Sequence, residues 1–263
     1  MKLAFIGAGN MAQAMIGGII RNGLVAKEDI IATAASQKTI DKVSSEYGVH
    51  VTLDNRKAAE ADIVILAVKP IYYEQVISEI KDVVAKSQIV VTIAAGKTLA
   101  WVEDAFGGSR KIIRTMPNTP ALVGEGITAV CPNSQITDED LKLICNLLES
   151  FGKVEVISET MMDAVIAVSG SSPAYVFLFI EAMADAAVAE GMPRNQAYQF
   201  AAQSVLGSAK MVLETGKHPG ELKDMVCSPA GTTIEAVRAL EQDGFRGTVM
   251  NAMHLCAEKN RRM

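Results

Sequence analysis

Two hydrophobic periods alternate through the first half of the chain. Short apolar runs at residues 2–6, 30–32, 63–68, 89–93, 111–114 and 127–131 read as strands. Between several of them, residues 11–22, 39–47, 73–85 and 98–105 carry the spacing of amphipathic helices. The run IVILAV, like its neighbours, is apolar on both faces, which a strand needs when helices cover both sides of a parallel sheet. Strand and helix in alternation predict a doubly wound α/β domain, finished by a helix over residues 138–150 and a short strand over 154–156.

After residue 158 the strand signal disappears. Ser172 followed by Pro173 opens a helix that runs to Gly191, and a second runs from Pro193 to Gly216. A third begins near Pro219, a fourth spans residues 233–243, and the last covers 247–262. The division expected is therefore 1–157 for the α/β domain and 158–263 for an all-helical domain. Residues 173–213 are rich in Ala and Met and apolar nearly all round, too apolar for a lone surface helix pair, so a second copy of the chain is expected against them.

Composition narrows the chemistry. Of 263 residues 49% are hydrophobic, and 25 basic against 30 acidic residues leave a net charge of −5. No basic run and only 5% aromatics argue against nucleic acid as a partner. Four cysteines without CxxC spacing and three histidines give little support for zinc or a disulfide framework, so no metal site is expected. The opening apolar run is broken by glycine too early for a signal or a membrane span, and the reading is of a cytoplasmic protein that enters no membrane.

Gly7-Ala8-Gly9-Asn10-Met11-Ala12 follows the first strand and opens the first helix, a GxGxxA form of the dinucleotide fingerprint. Gly7 permits the turn, Gly9 clears space for a pyrophosphate, and Ala12 lets helix and strand pack closely. The second strand is followed by no Asp or Glu: residues 30–40 read IIATAASQKTI, with Thr33, Ser36 and Lys38 offering hydroxyls and an ammonium. That favours NADPH, with NADH still usable. Lys69, at the end of the strongest strand, is read as facing the cofactor or orienting its loop rather than as a catalytic acid.

IGAGNMA, AVKP, the AAG turn, RTMPNTP, VSGSSPAY and KDMVCSPAGTTIEAVRALE together resemble the pyrroline-5-carboxylate reductase family, in order from residue 1 to about 255. The resemblance implies a Rossmann-like domain followed by a helical dimerisation domain, intertwined in a homodimer and assembled further as a pentamer of dimers, a decamer. It implies NADPH- or NADH-dependent reduction of L-1-pyrroline-5-carboxylate to L-proline, the final step of proline biosynthesis. The cofactor contacts it implies are Ile6, Gly7, Ala8, Gly9, Asn10, Met11, Asn55, Ala67, Val68, Lys69, Pro70, Ile93, Ala94 and Ala95. Those for the substrate are Ser228, Gly231, Thr232 and Thr233. The chain departs from the family at Ser172 and Ala230, where glycine is commoner, and at Ala34, where relatives with serine use it toward the cofactor phosphate.

Hydride transfer to a cyclic imine needs neither a nucleophile nor a metal, in keeping with the missing Ser/His/Asp pattern. Backbone N–H groups of the loop Ser228-Pro229-Ala230-Gly231-Thr232-Thr233 are expected to take the substrate carboxylate, with the Thr233 hydroxyl, as the catalytic group, on the imine nitrogen. The competing reading is a helix cap and nothing more. Two other functions share the pattern. A β-hydroxyacid dehydrogenase wants a lysine shortly after the Gly-Ser-Ser-Pro turn, and none occurs before Lys210. A non-catalytic NADP-binding regulator would lack turnover with the imine.

Overall fold

The computed structural model describes residues 1–262. The strands are β1 (Leu3–Ile6), β2 (Ile30–Thr33), β3 (His50–Thr52), β4 (Ile63–Leu66), β5 (Ile89–Thr92), β6 (Lys111–Met116), β7 (Gly126–Pro132) and β8 (Gly152–Val156). They form one sheet in the order β3-β2-β1-β4-β5-β6-β7-β8. Between them lie α1 (Asn10–Arg21), α2 (Gln37–Tyr47), α3 (Asn55–Ala58), α4 (Tyr73–Ile80), α5 (Leu99–Ala105) and α6 (Asp138–Glu149). The expected doubly wound α/β fold is present, with two short additions, β3 and α3, that the hydrophobic pattern did not suggest. One further difference concerns direction: β7 runs antiparallel to β6, and β8 is parallel to β7.

Alternation along β1 shows why both faces are apolar. Leu3 and Phe5 pack with Met15, Ile16 and Ile19 of α1 and Leu147 and Leu148 of α6. Ala4 and Ile6 point the other way, into a core with Tyr73, Ile77 and Ile80 of α4 and Val102 of α5. Local chemistry sets the helix ends. Ser36, Asp54, Thr98 and Thr137 each accept a backbone N–H at the N-terminus of the helix that follows, and Thr137 does so in a reciprocal capping box with Asp140. Gly48 stops α2 in the left-handed conformation.

Two compact units result: Met1–Ser171 with Cys256–Met263, and Ser172–Leu255. The residues from 158 to 171, placed in the helical domain by the sequence reading, thus group with the sheet. The reason is packing, because Met162 of α7 (Met162–Val165) and Ile166 bury against Met116, Ala129 and Cys131. Polar bonds add to this. Buried Arg114 pairs with Glu159 at 2.7 Å, and Asn260 Nδ2 donates to Asp163 at 2.7 Å. A π turn over Ile166–Gly170 follows, in which the Ser171 N–H donates to the Ile166 carbonyl. Pro173 has no N–H for the Ser169 carbonyl four residues back; the Asn118 side chain donates to that carbonyl instead, at 3.1 Å.

The second unit contains α8 (Ser172–Ala189), α9 (Arg194–Thr215), α10 (Pro219–Val226), α11 (Thr232–Gln242) and most of α12 (Phe245–Arg261). Pro219 sits in the first turn of α10, and Gly216 ends α9 with positive φ.

Gly152 is the tightest point of the sheet. Its φ is +154°, and a Cβ there would lie 2.0 Å from the Gly126 carbonyl oxygen. Gly152→Ala should lower stability by about 3 kcal/mol or more, because backbone must move. Gly124→Ala, at φ +79° with open space around it, should cost only about 1 kcal/mol. Denaturant melts of both variants check the contrast; equal losses would show that the clash at Gly152 relaxes freely.

Candidate active site

The turn from β1 into α1 is closely built. Gly7 has φ +99°, and a Cβ on it would stand 2.8 Å from Val68 Cγ1 and 3.0 Å from the Ala67 carbonyl group. Its N–H donates to Thr33 Oγ1 at 3.1 Å. Gln13, buried in α1, donates to the Ala8 carbonyl at 2.8 Å and pins the turn from below. Gly9 is the N-cap of α1; no side chain caps that helix, and a Cβ at Gly9 would meet nothing within 4 Å. Unpaired N–H groups beside open space are what a pyrophosphate needs. Ile6 and Ala8 are buried, whereas Gly9 and Asn10 are exposed and Met11 is half-buried.

Beside this turn lies a crevice of about 300 Å³ that brings together Gly7, Thr33, Ala34, Asn55, Val68 and Glu79. Thr33, expected to meet the cofactor directly, is 1% exposed. Its hydroxyl accepts from Gly7 and donates to Asn55 Oδ1 at 2.7 Å, so both of its bonds are internal. Thr33 therefore positions the turn and Asn55 and has no hydroxyl proton to spare for a phosphate. Ser36 is the N-cap of α2, bonded to the Thr39 N–H and hydroxyl, and lies outside the crevice lining. Asn55 Nδ2 in turn donates to Glu79 Oε2 at 3.0 Å.

The ends of β4 and β5 complete this side. Lys69 is exposed at the start of the short turn Pro70–Tyr72, with Ala67, Val68 and Pro70 half-buried. Ala94 is buried, with Ile93 and Ala95 half-buried, and the Ala94 N–H leans on Thr92 Oγ1 at 3.4 Å. Thr92 donates to the Tyr73 hydroxyl, which donates to the Leu66 carbonyl at 2.6 Å. Burial pushes the Tyr73 phenol well above its ordinary pKa, so it ties two strand ends together as a neutral group.

In the second unit, α10 ends at Cys227 and the chain turns through Ser228, Pro229, Ala230 and Gly231, closed by a Gly231 N–H to Ser228 carbonyl bond of 3.0 Å. Gly231 is the N-cap of α11 and no side chain caps the helix. Thr232 and Thr233 are its first two residues, so neither hydroxyl is the cap that the sequence left open as the competing reading. A Cβ at Gly231 would stand 2.3 Å from Ser228 Oγ. Ala230 has φ +57°, the one positive φ outside glycine among the described residues.

Sequence reasoning singled out the glycine turn, the strand-end loops and the Ser228–Thr233 segment. It missed Gln13, Asn118 and Glu79. Asn118 stood in a motif already singled out, between two prolines. Glu79 gave no signal, being one of several acids on an amphipathic helix.

Comparison with known proteins bears on both units. Residues 159–263 match the family model described as pyrroline-5-carboxylate reductase dimerisation, and residues 2–96 match the model for NADP oxidoreductase, coenzyme F420-dependent. The chain is 54% identical over 263 residues to a pyrroline-5-carboxylate reductase of Escherichia coli strain K12, covering 100% of this chain and 98% of the relative. Among solved structures, a Plasmodium falciparum pyrroline carboxylate reductase with NADP bound is similar at TM-score 0.92 and 34% identity, over 100% of this chain and 97% of the other. A pyrroline-5-carboxylate reductase from Coxiella burnetii gives TM-score 0.91 and 35% identity, over 99% and 97%.

Ala230 holds a left-handed conformation that glycine adopts without strain. Ala230→Gly should stabilise the protein by about 1 kcal/mol, read as a raised midpoint in thermal or denaturant melts. A lowered midpoint would mean that the alanine methyl makes packing contacts outweighing its backbone strain.

Proposed function

Because this chain belongs to the pyrroline-5-carboxylate reductase family, we propose that it reduces L-1-pyrroline-5-carboxylate to L-proline with NADPH, accepting NADH as well, as the final step of proline biosynthesis. The observation that carries the reading is the 54% identity along the full length of a named reductase. The uncapped helix that follows each glycine turn agrees with it.

The residues fit a dinucleotide. The free N–H groups of α1 would take the pyrophosphate, with Gly7 and Gly9 admitting it at backbone distance. Asn55 would meet the adenosine ribose, and the segments from Ala67 to Pro70 and from Ile93 to Ala95 would line the rest. The bound nicotinamide supplies the hydride for the imine carbon. The substrate is small and carries one carboxylate. Free N–H groups at the start of α11, with Ser228 and Gly231 shaping the turn, hold that carboxylate without an arginine clamp. The Thr233 hydroxyl then bonds the imine nitrogen, directly or through water, and fixes the ring for hydride attack.

What the helical unit leaves uncovered supports the reading of a homodimer. Of the 18 residues of α8 only Ala184 is buried, and of the 22 in α9 only Ala197 and Ala201. Phe177, Leu178, Phe200 and Leu213 are each more than 60% exposed. The run Glu159–Ala189 is long and apolar enough to cross a membrane by length and composition. The match to a dimerisation model supports a second copy as what covers it instead. A pentamer of dimers is the further assembly, and four free cysteines suit a reducing cytoplasm.

The test is oxidation of NADPH and of NADH on addition of pyrroline-5-carboxylate, with proline as product. Thr233→Ala should lower turnover about 10–100-fold, about 1.4–2.7 kcal/mol of transition-state stabilisation, and leave NADPH binding unchanged. No turnover by the parent protein would leave the regulator reading. Full turnover by the variant would remove Thr233 from the chemistry. Light scattering should give at least twice 28.0 kDa; a fully active monomer would defeat the dimer.

A further inference from the structure

An acid stands where the residues after β2 supply none. The chain of hydrogen bonds from the Gly7 N–H through Thr33 to Asn55 fixes which way the Asn55 amide points, because Thr33 donates to its Oδ1. Nδ2 must then face away from Thr33, and it donates to Glu79 Oε2 of α4. One carboxylate oxygen is used by Asn55, which leaves Oε1 as a second acceptor on a residue that lines the crevice together with Gly7, Ala34, Asn55 and Val68. No lysine or arginine is among the residues lining that crevice. The nearest guanidinium in the network, Arg56, is held by both oxygens of Asp82 and by the main-chain carbonyl of Glu79, so it is not spent on the Glu79 carboxylate.

Resting on the reading of this crevice as the adenosine end of a dinucleotide site, we infer that Glu79 accepts a ribose hydroxyl and opposes a 2′-phosphate. The discrimination between NADPH and NADH is then set by a residue of α4 and not by the segment that follows β2. In dinucleotide folds an acid at the end of the second strand binds the ribose hydroxyls of NAD and repels the additional phosphate of NADP. Here the same charge arrives from another helix, oriented through Asn55. It moderates a preference for NADPH that Thr33, Ala34 and Ser36 would not restrain.

Glu79→Gln separates charge from positioning, because the glutamine carbonyl still accepts from Asn55 while the negative charge is gone. Calorimetric titration of the whole protein with NADP+ and with NAD+ reads the effect without turnover. The variant should bind NADP+ about 3- to 10-fold more tightly and NAD+ no more tightly than before. Glu79→Ala, which also removes the acceptor for Asn55, should weaken NAD+ relative to Glu79→Gln. If both dinucleotides shift by the same factor in Glu79→Gln, or neither shifts, Glu79 only positions Asn55 and the inference is overturned. If the parent protein binds neither dinucleotide, it is the reading of the crevice that fails.

Discussion

The close approach of Gly7 to the end of β4 is the constraint from which the rest of the first unit follows. β1 lies between β2 and β4, in parallel register with both. At its end the backbone passes so near Ala67 and Val68 that no side chain fits, while its N–H is held by Thr33 of β2. One residue thus fixes the ends of three strands relative to one another. It also decides where α1 starts, and so where a set of unpaired N–H groups is placed. A substitution at Gly7 would not remove a functional group; it would separate the strand ends that form the crevice.

Much of this was legible because buried parallel strands and their covering helices write a strong signal. β3 escaped because it is three residues long, with His50 exposed and its other two residues only half-buried at the edge of the sheet. α3 is a single turn, too short for any period to register. The reversed direction of β7 was within reach of the sequence. Residues 117–125 leave nine positions between β6 and β7, fewer than a parallel crossover requires. The end of the sheet unit was less accessible, since nothing in the residues from 158 to 171 says that Met162 and Ile166 will pack against β6 and β7.

At the site, burial and hydrogen bonding assign some residues a different role from the one their type suggested. Thr33 was chosen for its hydroxyl, and the hydroxyl matters, but it faces the glycine turn and Asn55. Its burial follows from its place at the end of a strand whose side chains alternate between two packed layers, and spacing alone does not reveal which end points inward. Glu79 shows the converse. An acid 46 positions beyond Thr33 reaches the same crevice because α4 packs beside α3, and no local motif encodes that meeting.

An acidic chain that handles anions must find positive potential somewhere other than in net charge. Here the contrast among helix starts supplies it. Ser36, Asp54, Thr98, Thr137 and His218 occupy the N–H groups of their helices with their own side chains. α4, α7 and α9 lack a side-chain cap as well, behind Tyr72, Met161 and Pro193, whereas α1 and α11 begin at glycines, Gly9 and Gly231, that bring neither a cap nor a side chain to cover the N–H groups. With glycine at the N-cap, going without a capping side chain costs only about a few tenths of a kcal/mol per helix. The same vacancy keeps N–H donors and the positive end of the helix dipole available to a phosphate or a carboxylate. Lysine or arginine would bind these anions too, but flexibly and from a side chain's distance. Backbone donors at a glycine turn are fixed by the fold itself, which is what orienting a hydride donor against a small imine requires.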